Sequence, residues 1–141
     1  MPGAGSPIAV DTSVAVPLLL RNHPSHRALI SWRDGRRLSV CGHAWIETYA
    51  VLTRLPGSAR VAPADAARVM SATFSAPAWP SEPTLARAAA ELAAAGIAGG
   101  AAYDAWIALA ARDSGSILAS RDRRAETTYR RLGVEVEMLD A

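Results

Sequence analysis

The chain contains little cysteine and no long apolar segment, and each shortage excludes a class of protein. The single cysteine among 141 residues, Cys41, follows an apolar run and is interpreted as a small buried side chain that cannot form an internal disulfide. A reducing, cytoplasmic setting is therefore expected. Residues 1–7 do not resemble the basic and then apolar start of a secretory signal. Residues 14–20 are apolar but far shorter than the roughly 20 residues of a membrane span, so no bilayer crossing is predicted.

Lysine is absent, and all fifteen basic residues are arginine. The formal net charge of +2 indicates an anionic partner without the large excess of a protein that coats nucleic acid. Half of the residues are hydrophobic and a fifth are charged, which is typical of globular rather than disordered or fibrous proteins. We predict a single domain over residues 1–141, with a flexible tail at residues 1–6.

Short apolar runs alternate with longer helical patterns along the chain. Strands are predicted at residues 8–10, 37–41, 78–79, 116–119 and 134–138. Helices are predicted from the capping residues 11–13 to residue 20, over 26–32, from 42 to near 56, and over 63–74, 84–95, 102–112 and 123–132. The helix that begins at residue 42 is expected to be well buried. The last strand alternates apolar and acidic residues, which is typical of a strand at the edge of a sheet. Strands separated by helices predict an α/β fold, a three-layer α/β/α domain with a central parallel sheet of four to five strands.

Two acidic residues directly follow predicted strands. Asp11 comes after the strand at 8–10, and Asp122 lies just past the strand at 116–119. Ligands of parallel sheets gather beyond the carboxyl ends of the strands, so the two carboxylates face one crevice if these strands are neighbours. Glu47 and Asp104 lie in predicted helices, are followed by apolar residues three and four positions on, and are expected to point inward.

Each of these acids also has a structural explanation. Asp11 and Asp122 stand where the N-cap of the next helix is expected, and capping does not exclude catalysis. Glu47 could pair with an arginine, and Asp104 could favour the start of its own helix. Buried unpaired carboxylates are costly, however, so four converging acids indicate a divalent cation. A hard ion such as Mg²⁺ or Mn²⁺ suits an all-carboxylate site.

Four pieces of sequence, in a characteristic order and spacing, carry a family resemblance. They are IAVDTS at 8–13, Glu47 in the helix after the second strand, YDAWIA at 103–108 and LASRDR at 118–123. Together they resemble the PIN domain, and within it the VapC-type toxins of bacterial type II toxin–antitoxin (VapBC) systems. The resemblance implies that Asp11, Glu47, Asp104 and Asp122 are the metal-binding catalytic acids. The supporting polar residues that it implies are Thr12, Ser13 and Ser120, the last standing where the family often has threonine.

The same resemblance implies an activity and partners. The activity is a Mg²⁺- or Mn²⁺-dependent endoribonuclease, in which the metal orients and acidifies a water that attacks an RNA phosphodiester. The implied partners are a cognate VapB-type antitoxin that blocks the acidic crevice and a second copy of the chain in a homodimer. The alternative is a non-toxin or catalytically inactive PIN-like module that binds RNA or protein without cutting. A receiver domain or an aspartate-nucleophile phosphatase is disfavoured, because the chain has no lysine and Ser13 stands where the phosphatase needs a second aspartate.

Acidic clusters repel a polyanion, so arginines are expected near the site. Those grouped beside Asp122 are Arg121, Arg123, Arg124, Arg130 and Arg131. We assign this cluster, above all its first three members, to RNA phosphates. The alternative is a solvated helix face that pairs partly with Glu126. A second candidate patch is formed by Arg33, Arg36 and Arg37.

The histidines and tryptophans are interpreted as structural. His23 and His26 have a spacing that can serve a metal, but they flank a proline and are assigned to helix entry. His43 is interpreted as a partly buried histidine with satisfied hydrogen bonds. The tryptophans join no aromatic series typical of base stacking, so they are assigned to the core or to dimer contacts; they are Trp32, Trp45, Trp79 and Trp106.

Overall fold

A parallel sheet with helices packed around it organises the computed structural model, which describes residues 5–140. The elements in chain order are β1 (Ile8–Val10), α1 (Thr12–Leu19), α2 (His26–Arg33), β2 (Ser39–Val40), α3 (Gly42–Arg54), α4 (Pro63–Thr73), α5 (Glu82–Ala94), α6 (Ala101–Asp113), β3 (Ile117–Ser120), α7 (Arg123–Arg131) and β4 (Val136–Met138). A short 3-10 turn at Gly57–Ala59 follows α3. The predicted three-layer α/β/α fold is confirmed, and the tail predicted at residues 1–6 lies mostly outside the described residues.

The sheet order β2-β1-β3-β4 places the two strands that precede acidic residues side by side. All pairings are parallel, and Val10 of β1 lies opposite Val40 of β2 on one side and Ala119 of β3 on the other. The last strand lies at an edge, as its alternating sequence predicts. Because β1 and β3 are neighbours and run in the same direction, the residues that follow both strands meet at one end of the sheet.

The prediction of a strand at residues 78–79 is wrong. Ala78 makes one isolated parallel bridge, to Cys41 at the end of β2. Pro77 and Pro80 flank this bridge, and neither has a backbone N–H that could extend a ladder of hydrogen bonds. The sheet therefore has four strands within residues 5–140, inside the predicted range of four to five.

The expected burial of α3 is correct on one side of the helix only. The helix packs against α1, α4 and α6, and Ala44, Thr48 and Leu52 are at most 1% exposed. On another side, Ile46 is 59% exposed and Tyr49 is 37% exposed, because the rest of residues 5–140 covers them only in part. An exposed apolar side of this kind is available for contact with another chain.

Cys41 and the helices agree with two further expectations. Cys41 is fully buried, and burial raises the pKa of its thiol, so it behaves as a small apolar side chain as predicted. Within residues 5–140, no helix combines the length and the apolar character needed to cross a membrane.

Candidate active site

A cavity of about 360 Å³ opens at the carboxyl ends of β1 and β3. Its lining includes all four acids predicted from the sequence, namely Asp11, Glu47, Asp104 and Asp122. They come from four places in the fold: the end of β1, the middle of α3, the first turn of α6 and the N-cap of α7. The structure therefore brings the predicted acids to one site, while their catalytic role stays a prediction.

Asp11 is the most strongly held of the four acids. One carboxylate oxygen accepts hydrogen bonds from the backbone N–H of Ser13 (3.0 Å) and from its hydroxyl (2.5 Å). The other accepts from the hydroxyls of Ser120 (2.5 Å) and Tyr129 (2.8 Å). The side chain caps α1, as the structural explanation predicts, and also lines the cavity. Burial raises the pKa of Asp11, and the hydrogen bonds from Ser120, Ser13 and Tyr129 act in the opposite direction.

The hydroxyl groups predicted to support the site join its two sides. Ser120 is fully buried, and its oxygen accepts a hydrogen bond from the backbone N–H of Asp122 (3.0 Å) while it donates to Asp11. The hydroxyl oxygen of Ser13 accepts from the backbone N–H of Arg121 (2.8 Å). Thr12 differs, since its buried Oγ1 has no hydrogen-bond partner among the described residues. Ser13 and Ser120 thus fix the spacing between the segments that carry Asp11 and Asp122.

Asp122 and Asp104 show how the carboxylates influence one another. Asp122 accepts from the backbone N–H of Arg124 (3.0 Å), capping α7, and forms an ion pair with the Arg124 side chain (3.4 Å). Burial raises the pKa of Asp104, and the charges of Asp122, Asp11 and Glu47 raise it further. The Arg124 charge opposes this rise. Repulsion among the four acids is therefore only partly compensated by the chain itself.

Glu47 has a partner on its own helix. Its carboxylate lies 3.6 Å from Nε2 of His43, one helical turn earlier in α3, and both side chains are partly exposed. His43 also lines the cavity, so its interpretation as a purely structural histidine missed this position. The spacing of four residues on one helix was the available signal, because residues four apart share a face.

Tyr103 and Tyr129 are further cavity residues that sequence reasoning missed. Tyr129 is buried on the same side of α7 as Ala125, so its helical spacing predicts burial but not its hydrogen bond to Asp11. Tyr103 precedes Asp104 and remains 58% exposed at the cavity. Neither role can be recognised without the packing of α6 and α7 around the strands.

The predicted arginine cluster is largely engaged with acidic and backbone groups. Arg121 lines the cavity and donates to the backbone oxygen of Ser13 (3.1 Å) and to the hydroxyl of Ser25 (2.8 Å). Arg123 forms an ion pair with Asp140. Arg130 forms an ion pair with Glu126 (2.9 Å), so the pairing with Glu126 expected for a solvated helix face is confirmed. Arg124 forms the ion pair with Asp122 described above. The assignment of Arg121, Arg123 and Arg124 to RNA stays a prediction.

The second arginine patch, which consists of Arg33, Arg36 and Arg37, lies at the carboxyl end of α2. Arg33 and Arg36 each donate from Nε to the other's backbone oxygen (2.9 Å), and the Arg36 guanidinium lies 5.0 Å from the ring centroid of Trp32. Arg37 donates to the backbone oxygen of Phe74 (2.8 Å). These contacts give the patch a structural role.

His23 and His26 make contacts at the entry to α2, as predicted, and His23 in addition lines the acidic cavity. Nδ1 of His26 lies 2.8 Å from the backbone oxygen of Pro17, and Nδ1 of His23 accepts from the backbone N–H of Ser25 (3.1 Å). The assignment of Trp106 to the core or to dimer contacts stays a prediction. The ring of Trp106 stacks with that of His43, with ring centroids 5.9 Å apart.

The chemistry of the lining fits a hard divalent cation. Carboxylate oxygens are the ligands that Mg²⁺ and Mn²⁺ prefer, and a cation would neutralise the repulsion that raises the pKa of Asp104. As the side chains are placed, no three Asp, Glu, His or Cys side chains within residues 5–140 stand close enough to hold one ion. A cation held directly by three or more of the acids would require rotation of at least one of their side chains toward the others.

Known proteins share this fold and much of this sequence. A family model described as PIN domain matches residues 8–131. Ribonuclease VapC27 of Mycobacterium tuberculosis is 51% identical over 130 residues, which cover 92% of this chain and 95% of the relative. Ribonuclease VapC40 of Mycobacterium tuberculosis is 38% identical over 133 residues, which cover 94% and 98%. A chain of similar fold occurs in the crystal structure of VapBC2 from Rickettsia felis bound to a DNA fragment from their promoter. The TM-score is 0.67 at 12% identity, and the match covers 94% of this chain and 98% of that chain. From the match over residues 8–131 and the two VapC relatives, the chain belongs to the PIN domain family, in the group of the VapC proteins.

Proposed function

We propose that this protein is a VapC-type toxin, an endoribonuclease that cleaves RNA phosphodiester bonds with Mg²⁺ or Mn²⁺ and is inhibited by a cognate antitoxin. The observation that carries the proposal is the meeting of Asp11, Glu47, Asp104 and Asp122 at one cavity. The two relatives named ribonuclease VapC, at 51% and 38% identity over nearly the whole chain, support the same activity here.

The four acids would hold the metal, and other side chains position them. A bound divalent cation supplies acidification of a water and stabilisation of charge on the phosphoryl oxygens. Ser13, Ser120 and Tyr129 orient Asp11 through its four hydrogen bonds, so this ligand is preorganised. Arg121 places a positive charge at the cavity wall, which offsets part of the repulsion between the acids and an incoming phosphate.

Two protein partners belong to the proposal. The VapBC2 structure from Rickettsia felis, whose chain shares the fold, supports a VapB-type antitoxin as partner. An antitoxin that reaches the cavity would present a basic side chain, because the acidic lining attracts positive charge. We also propose a homodimer in the cytoplasm, and the exposed apolar side of α3 at Ile46 and Tyr49 supports contact with a further chain.

Cleavage of RNA by the purified, antitoxin-free protein tests the activity. Total cellular RNA is incubated with Mg²⁺, with Mn²⁺ and with EDTA, and the fragments are mapped by sequencing of their ends. Discrete fragments are expected with either metal, and none with EDTA. Intact RNA under every metal condition would instead favour a PIN-like module that binds without cutting.

Two aspartate variants identify the site responsible for cleavage. Asp104→Asn removes one cavity carboxylate and is expected to abolish the metal-dependent fragments. Asp65→Asn is the matched control, since Asp65 lies on α4 in a surface ion pair with Arg68 (2.7 Å). Cleavage that survives in Asp104→Asn, or that is lost equally in both variants, would contradict the assignment of the site.

A further inference from the structure

Three aromatic rings from two helices stack on one another, and two of them, those of His43 and Tyr103, line the acidic cavity. The ring of His43 in α3 stacks with Tyr103 of α6, with ring centroids 5.3 Å apart and planes 25° apart. It also stacks with Trp106, one turn further along α6, at 5.9 Å and 21°. His43 is distant in sequence from Tyr103 and Trp106, so the three rings come together only because α3 packs against α6. We name the rings of His43, Tyr103 and Trp106 the aromatic group.

Tyr103 is the exposed member of the aromatic group. It is 58% exposed, yet it lines the cavity and directly precedes Asp104. An exposed tyrosine offers a flat apolar face, and here the contact with His43 restrains the orientation of its ring. A restrained aromatic face loses little conformational entropy when a ligand stacks on it.

The charges around the cavity favour RNA binding only weakly, so an RNA strand requires further contacts that do not depend on charge. The acids repel the phosphates of an RNA strand and Arg121 offsets only part of this repulsion, while Arg123 and Arg124 form ion pairs with Asp140 and Asp122. A cavity of about 360 Å³ also lies at the low end of the range for clefts that enclose small ligands, roughly 300–1,000 Å³. A polymer strand therefore extends beyond the cavity and crosses residues at its opening, where Tyr103 is exposed.

We propose that the exposed face of Tyr103 stacks on an unpaired base of the RNA strand whose phosphate lies at the acidic cavity. This inference rests on the proposed ribonuclease function and assigns the strand a binding contact beside the acids. Proteins that recognise single-stranded RNA commonly stack unpaired bases on aromatic side chains, and every base has a face that can take part. Tyr103 would then act as a positioning residue, holding the nucleotide next to the cleaved bond.

Binding of single-stranded RNA oligonucleotides that contain 2-aminopurine tests the inference. The measurements use Asp122→Asn protein with Mg²⁺, because asparagine still caps α7 while cleavage is expected to be lost. Anisotropy reports the affinity, and quenching of 2-aminopurine fluorescence reports stacking. Tyr103→Ala is expected to weaken binding on the order of 10-fold and to remove the quenching. Tyr103→Phe keeps the ring and should bind within about 2-fold of the parent, whereas Tyr103→Leu should behave like Tyr103→Ala.

Leu85→Ala is the matched control, because Leu85 is another exposed large apolar side chain but lies on α5, outside the acidic cavity. Its RNA affinity and quenching should equal those of the parent, and circular dichroism checks that each variant is folded. Unchanged affinity in Tyr103→Ala, or normal binding by Tyr103→Leu, would overturn the inference. So would a loss of antitoxin binding with unchanged RNA binding, which would assign the face to the protein partner.

The proposed function is tested separately, by RNA cleavage with the protein that keeps all four acids. If that protein cleaves RNA and the Tyr103 variants bind normally, only the stacking inference fails. If it neither cleaves nor binds RNA, the proposed function fails and the stacking inference fails with it.

Discussion

Replacement of Asp104 by asparagine is expected to stabilise the metal-free protein at pH 7 while it abolishes cleavage. Burial raises the pKa of Asp104, and the charges of Asp122, Asp11 and Glu47 add to that rise. Asparagine has nearly the same shape but no charge, so the repulsion disappears. An active site built from mutually repelling groups lowers the stability of the fold that carries it.

Burial disfavours the Asp104 charge and the attraction of Arg124 favours it, so these two contributions oppose each other; the magnitude then follows from the like charges and the helix dipole. A like-charged neighbour at a partly exposed position costs on the order of 0.5 kcal/mol, so three neighbours cost roughly 1.5 kcal/mol. Asp104 also lies in the first turn of α6, where the helix dipole stabilises an acid by about 0.5 kcal/mol. The difference favours asparagine by about 1 kcal/mol, which raises the Tm of a chain of this length by about 3 °C.

The pH dependence has a definite sign. Because the pKa of Asp104 is raised above its ordinary value of 3.8, the folded protein binds this proton more readily than the unfolded chain does. The wild-type protein therefore loses stability as pH rises from the ordinary pKa through the raised one, and the full loss is present above it. The advantage of Asp104→Asn should be largest near neutral pH and should vanish toward pH 3.8 and below.

Thermal denaturation followed by circular dichroism in EDTA measures the effect across this pH range. Asp65→Asn is the control, since it removes an attractive surface pair and should lower stability by at most about 0.5 kcal/mol. Added Mg²⁺ should then raise the Tm of the wild type more than that of Asp104→Asn, because a ligand of the folded state stabilises it. An Asp104→Asn variant less stable than the wild type at pH 7 in EDTA would refute the reasoning.

Three substitutions around Asp11 test how it is held. Asp11→Asn should abolish cleavage and keep the circular dichroism spectrum, because asparagine also caps helices; full activity would exclude the proposed site, and unfolding would favour a purely structural role. Ser120→Ala removes contacts to Asp11 and Asp122 and should cost about 1–3 kcal/mol in urea denaturation, so unchanged stability would contradict the role of the hydroxyl. Tyr129→Phe removes a hydrogen bond that lowers the pKa of Asp11, so this pKa should rise in a carboxyl NMR titration, and a fall would contradict the assignment.

Local patterns in the sequence predict much of this fold. The strand Ile8–Val10 and the capping residue Asp11 were both predicted, because an apolar run followed by a capping side chain is a short-range signal. The strand at 37–41 was predicted too long, since the paired strand is Ser39–Val40 with isolated bridges on either side. Strand ends depend on which residues the neighbouring strands can pair, and sequence periodicity does not contain that information.

The sequence by itself determined the order of strands and helices, the caps at Asp11 and Asp122, and the presence of four candidate acids. These depend on periodicity and on hydrogen bonds between residues close in the chain. Only the tertiary structure decided that Glu47 and Asp104 meet Asp11, that Tyr129 bonds to Asp11, and that α3 and α6 bring aromatic rings together. Repulsion, long-range hydrogen bonds and ring stacking depend on distances through space, and packing of the helices around the sheet sets those distances.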